Sequence, residues 1–354
     1  MVKNARRIKR RDEQAPIPVK TAVTDYLASS SVRRLEPETQ QAYTYKLTIF
    51  AEWCATEQVT LDAFDSNKME CYLEHFRATR KPCKAGNTEI STQTCAGHVR
   101  AIKTFLNWGL LDEQYEAHIK AIAVQRIKQP KTVDPIVETF TPSQIKALFK
   151  ACDKEESEHL QMRDRAILAL LLDSGIRSRE LITLKIGHVI LDPKDPYIRV
   201  FGKGKKWGEV GLGEQSRRAV QKYIVTFREP TVEYEVEQAA ENVSERQLNQ
   251  LQKQMIQQAP LFVNRAGKPL TRSGLQQLID RLGEWADIEG VRCSPHTFRH
   301  TFAKLFMQNG GDIYKLSKLL RHSSVAVTER YLRSLQQAEA RKGAKSVLDN
   351  LQKG

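Results

Sequence analysis

The chain has 354 residues, 40% of them hydrophobic, and a formal net charge of +14 from 56 lysines and arginines against 42 acidic residues. That length fits two domains of ordinary size, and the basic balance points to a polyanion as partner. No run of eighteen apolar residues occurs and no apolar segment follows the basic N-terminus, which excludes a conventional transmembrane helix and a secretory signal, while six cysteines without a C-x-x-C pair or zinc-finger spacing point to reduced thiols in the cytoplasm.

Residues 1–16 read as a basic arm, with KNARRIKRR running from Lys3 to Arg11; Arg6, Arg7 and Arg10 either lie along phosphates or belong to a solvated end. Residues 17–112 carry helical periodicity in TAVTDYLASS, ETQQAYTYKLTIFAEWCATE, SNKMECYLEHFRA and STQTCAGHVRAIKTFLNWGLL, which predicts four amphipathic helices in a small all-α domain. Its exposed positions include Lys46, Arg77, Arg80, Lys81, Lys84, Arg100 and Lys103, with Arg100 and Lys103 as DNA-binding candidates. Cys95 and His98 are the nearest approach to a metal-ligand pair and no further ligands accompany them, so no metal and no other cofactor is expected. Residues 113–138, which include RIKQPKTVDPIVE, lose sustained periodicity and read as a basic linker.

Residues 139–354 make the second domain. It opens at TPSQ, where Thr141, Pro142 and Gln144 have the spacing of a capping box, and continues with a buried helix through RDRAILALLLDSG that Gly175 ends. The alternation in DPYIRVFGKGKKWGEVGL predicts a β-hairpin around Gly202-Lys203-Gly204. An acidic and then Gln-rich helical excursion spans residues 229–258 and is expected to avoid DNA. Helices follow at TRSGLQQLIDRLGEWA, at PHTFRHTFAKLF behind a Ser294 N-cap and Pro295, and at DIYKLSKLL; the tail, 332–354, has helical composition and packs either on its own chain or on a neighbour.

Four islands in this domain hold polar residues that packing does not require. In SGIRSREL, Arg177 follows a helix-ending glycine and precedes Glu180, which is able to orient it; GKGKK lifts Lys203 on a turn, with Lys205 and Lys206 behind it as DNA-binding candidates. PHTFRHTF puts His296 and Arg299 on one face of a helix N-terminus, where free N–H groups and the macrodipole favour an anion, with His300 beside them. LLRHSSVAVTERYL places His322 after an apolar helix and Tyr331 further on. Each island also has an ordinary structural explanation as a surface charge, a turn residue, a helix cap or a core ring.

In this order and context the islands resemble the tyrosine recombinase or phage integrase family, from about Val19 to Tyr331. SGIRSREL is similar to the T-G-x-R-x-x-E-L box, GKGKK to the hairpin lysine box, HTFRHTFA to H-x-L-R-H, and LLRHSSVAVTERYL to L-L-G-H-x-x-x-x-x-T-x-x-Y. The resemblance implies a mainly α fold with a small β-sheet: an all-α, SAM-like core-binding domain followed by a mixed α/β catalytic domain. It implies Arg177, Lys203, His296, Arg299, His322 and the nucleophile Tyr331 as catalytic residues, supported by Glu180 and His300. It further implies a site-specific DNA recombinase that cleaves and rejoins strands through a 3′-phosphotyrosine without metal or ATP. The expected partners are double-stranded DNA carrying recombination sites, a homo-tetramer on that DNA from monomers or dimers in solution, and accessory DNA-bending proteins; the expected location is cytoplasmic, at the nucleoid. Three departures stand out: Phe298 replaces the common leucine, the 229–258 excursion exceeds a compact member, and Arg321 occupies a place where the family usually has glycine. Arg321 there either alters the backbone at His322 or adds a phosphate contact.

Overall fold

Helical periodicity in the first unit, residues 1–134, becomes α1 (Val19–Ala28), α2 (Ser30–Arg33), α3 (Pro37–Thr56), α4 (Ser66–Thr79), α5 (Thr92–Gly109) and α6 (Ala121–Arg126). The computed structural model describes residues 15–80, 89–132, 138–202, 206–240, 243–322, 324–325 and 328–329. Local chemistry sets the helix starts. Pro37 lies in the first turn of α3, the Asp65 carboxylate accepts from Lys68 N ahead of α4, and the Ser91 hydroxyl accepts from Thr94 N ahead of α5.

The apolar faces of these helices meet in an aromatic core, with Phe50, Tyr72 and Phe105 fully buried and the Phe50 and Tyr72 rings edge-on at 5.3 Å. His98 is buried in that core, where its Nδ1 shares a 2.7 Å hydrogen bond with the Tyr72 hydroxyl. The linker expectation needs correction. Tyr115, Ile119, Val124 and Ile127 are buried in the same core, supported by a 3₁₀ turn at Glu116–His118 and by α6, and the division between units falls after Asp134. A single 3₁₀ turn and a six-residue helix are too short to establish a period, which is why the sequence pattern fades there. Lys103, expected to face DNA, is half-buried and its ammonium donates to the Ile127 carbonyl at 2.9 Å.

The second unit, residues 135–354, holds α7 (Pro142–Ala151), α8 (Glu158–Ser174) and α9 (Ser178–Ile182), then β1 (Val189–Ile190), β2 (Tyr197–Phe201) and β3 (Trp207–Gly211). It continues with α10 (Glu214–Tyr223), α11 (Glu229–Ala239), α12 (Glu245–Gln258), α13 (Arg272–Trp285), α14 (Pro295–Gln308) and α15 (Ile313–Leu319). The chain is thus mainly α with a small β-sheet. Thr141 and Gln144 form the expected reciprocal cap on α7. The strands form one antiparallel sheet in the order β1-β2-β3, with Ile198 opposite Val210 and Val200 opposite Gly208. β1, two residues long, is too short to announce itself by alternation.

The core of this unit gathers the apolar face of α8 with the sheet and α13 and includes Phe298 of α14, whose ring lies 4.7 Å from that of Phe140. Within the excursion α11 buries Val232 and Val236, whereas α12 buries no residue. None of the described helices is long and apolar enough to cross a membrane.

Candidate active site

The site is built where three helix ends come together. Gly175 ends α8 in the left-handed conformation, at φ +55°, and a Cβ there would lie 2.5 Å from the Phe302 ring, so both its backbone angle and the close approach of α14 call for glycine. Leu320 follows α15 as its C-cap. Between these two C-terminal ends, which carry partial negative charge, lies Arg299 of α14, only 4% exposed. Its Nη1 donates to the Gly175 carbonyl and its Nη2 to the Leu320 carbonyl, both at 2.5 Å. Ser294 caps α14 by accepting from Thr297 N, and Phe298 is driven into the core, which fixes the rotation of the helix so that Arg299 points inward while His296 stays exposed.

Arg177 reaches the same carbonyl. Its Nη2 donates to Leu320 O at 3.2 Å and to Arg321 O at 2.9 Å. Glu180, itself buried, holds it at two points: Oε1 accepts from Arg177 Nη1 and Oε2 from the Arg177 backbone N, each at 2.9 Å. The Arg177 side chain remains about a third exposed, at 32%. Two guanidinium groups from distant parts of the chain therefore converge on one backbone oxygen, two residues before His322.

His322 is half-buried, its backbone N donating to Ser317 O at 3.0 Å and its Nδ1 hydrogen-bonded to the hydroxyl of the fully buried Thr328 at 2.8 Å. Burial, then Arg299, Arg177 and Arg321, push its imidazole down to about 4. His296, whose surface reaches solvent, is still pushed down by the protein packed around the helix start, which desolvates it, and then by Arg299, Arg272, Arg292 and Arg177. His300, half-buried one turn behind, is held at about 4 by burial, His296 and Arg299. These shifts share a physical origin: desolvation and unbalanced positive charge disfavour a further proton.

Arg177, Arg299, His322 and Glu180 are thus brought together, with His296 at the mouth of α14. Lys203, Lys205 and Tyr331, and the arm residues Arg6, Arg7 and Arg10, lie outside the described residues. Arg100 and Lys206 are exposed. Arg321 does not present its guanidinium to solvent as a phosphate contact; it ion-pairs with Glu180. Thr328 was not singled out from the sequence, although it is the threonine of the T-x-x-Y pattern. The Leu320 carbonyl carried no sequence signal at all, being backbone. Beside Glu180 a cavity of about 360 Å³ opens between α9 and the sheet, lined by Arg179, Lys185, Arg199 and Trp207 among others.

Residues 138–338 match the sequence model of the phage integrase family. The chain belongs to that family. It is similar to the tyrosine recombinase XerD of Xanthomonas campestris pv. campestris, 34% identical over 202 residues, 57% of each protein. It is also similar to XerD of Staphylococcus epidermidis, 31% identical over 241 residues, 68% of this chain and 72% of that one. Both relatives are named tyrosine recombinases, and the chain is an enzyme of that type. Among solved structures, the XerH site-specific recombinase bound to a palindromic difH substrate superposes with a TM-score of 0.68 at 17% identity, covering 95% of this chain and 99% of that one. A lambda integrase dimer bound to a core site gives 0.61 at 13% identity, over 89% of this chain and 95% of the other. At such identities the likeness speaks for the fold.

Proposed function

We propose that the protein cleaves and rejoins DNA strands at specific sites through a 3′-phosphotyrosine intermediate, with Tyr331 as nucleophile and Arg177, Arg299, His296 and His322 around the scissile phosphate. The observation that carries this reading is the meeting of Arg177 and Arg299 on the Leu320 carbonyl beside His322.

A phosphodiester is anionic, so attack on phosphorus needs fixed positive charge and donors at the non-bridging oxygens. Planar, permanently charged guanidinium forks meet that need better than ammonium groups. The arginines that depress His322 lose part of that effect once the phosphodiester charge lies among them, so substrate itself raises its readiness to donate. His296 either donates likewise or accepts the phenol proton. The Tyr331 oxygen bonds to phosphorus as the bond to the deoxyribose O5′ breaks, and Lys203 protonates that leaving oxygen. Because the phosphotyrosyl ester retains the energy of the broken linkage, a 5′-hydroxyl from a second duplex reverses the step without ATP or metal. Strand exchange between two duplexes calls for four protomers, with the tail, 332–354, available to link neighbours and DNA-bending proteins to shape the sites. Such a reaction belongs in the cytoplasm, at the nucleoid. Integration, excision or transposition of a mobile element and resolution of chromosome dimers are the outcomes open to it, distinguished by the site sequence.

The test is a nicked suicide duplex carrying a site recovered by selection from genomic DNA. Wild-type protein is expected to form a covalent adduct that Tyr331→Phe abolishes; equal trapping by the variant would falsify the nucleophile assignment. Two marked duplexes then yield recombinant junctions, whereas an enzyme that only cuts and reseals one duplex yields none.

A further inference from the structure

Arg321 sits where its backbone favours a glycine. Its φ is +52°, in the left-handed region that a side chain strains. Its side chain is mostly buried, 18% exposed, and among the described residues its Nε and Nη1 are buried and find no hydrogen-bond partner. Each of these features opposes folding, and glycine at this position would remove them all. Against them stands one contact, the donation from Nη2 to Oε2 of Glu180, the carboxylate that also holds Arg177.

The opposing strand makes room for that contact. A Cβ built on Gly208 of β3 would lie 3.1 Å from Arg321 Cδ, closer than the side chain accommodates without shifting. A glycine at 208 and an arginine at 321 are therefore a matched pair.

Resting on the phosphotyrosyl reading above, we propose that Arg321 is a positioning residue for Arg177, acting through Glu180 and seated by the absence of a side chain at Gly208. It does two things. A carboxylate turns easily about its terminal torsion, and a second guanidinium on Oε2 fixes its plane and with it the fork of Arg177. The pair Arg177 and Glu180 is formally neutral, and Arg321 restores one positive charge to a group that must face an anion.

The experiment measures single-turnover adduct formation at saturating protein, DNA affinity and Tm for the full-length chain, on the suicide duplex carrying the selected site. In Arg321→Gly the adduct rate falls about tenfold or more, affinity stays within about threefold, and Tm is equal or higher because left-handed strain is relieved. Arg321→Lys restores the charge and recovers most of the rate. Gly208→Ala slows the reaction about threefold in wild type and has no further effect in the Arg321→Gly background, since contacting residues couple. A wild-type rate in Arg321→Gly, a rate loss accompanied by a lower Tm, or a Gly208→Ala effect of equal size in both backgrounds overturns the inference alone. Failure of wild type to form an adduct, or equal trapping by Tyr331→Phe, overturns the phosphotyrosyl reading and this inference with it.

Discussion

His98 in the first unit and His322 in the second are both held near pKa 4, and the reasons differ. His98 is 1% exposed among aromatic rings, and burial is the first cause, with Lys46 and Arg80 behind it. Its ring nitrogen is paired with the Tyr72 hydroxyl inside the core, and burial keeps the imidazole neutral. His322 is half-buried, held by Thr328, with three arginines adding to the effect of burial. One histidine completes a core; the other lies beside concentrated positive charge that an arriving phosphate would balance. A depressed pKa is therefore no marker of function by itself, and the surrounding charges and access decide its meaning.

The largest test of that contrast is kinetic. Arg177→Ala is expected to slow adduct formation by about 10²–10³-fold, the usual effect of removing one preorganised donor, while His98→Gln leaves the rate within about twofold; a comparable loss in His98→Gln would erase the distinction between the two regions. Next comes salt: if six or more phosphates are contacted, DNA affinity measured by fluorescence anisotropy should fall about 10³-fold between 50 and 200 mM salt, and a flat response would remove the charge argument.

A third measurement separates the histidines by proton linkage. Because the folded pKa of His98 lies below its unfolded value of 6.5, the unfolded chain binds more protons between about pH 4 and 6.5, so stability rises with pH across that window and is lost as pH falls through it. For this buried group the difference amounts to about 3 kcal/mol at most, read from denaturant unfolding followed at Trp53 and Trp108, and the slope should flatten in His98→Gln. Added inorganic phosphate should move the His322 titration upward in NMR spectra and leave that of His98 in place. The smallest effect belongs to Lys103→Met, which should cost about 1 kcal/mol through the lost bond to Ile127 without changing DNA affinity, whereas Arg100→Ala should reduce the salt slope by about one.

Much of the fold was legible because its signals are local. The caps at Thr141 and Ser294, the stop at Gly175 and the alternation of Ile198, Val200 and Val210 each depend on a few neighbouring residues. The segment 115–127 was misread as linker because its buried residues answer to partners elsewhere in the unit rather than to a helical period of their own. Lys103 and Arg321 were misread for the same reason: long basic side chains look alike in sequence, and only their neighbours decide whether the charge meets solvent, a helix-end carbonyl or a buried carboxylate.

The sequence by itself determined which residue types were present for phosphoryl chemistry, in what order, and on which helix ends, since capping and periodicity act over one or two turns. Tertiary structure alone decided that Arg177 and Arg299 share the Leu320 carbonyl, that Glu180 stands between Arg177 and Arg321, and that Gly208 leaves room for the latter. Apart from the local Arg177–Glu180 pair, those contacts join residues far apart along the chain through a backbone oxygen, a shared carboxylate and the space a glycine leaves, and the order of side chains does not say which distant partners meet.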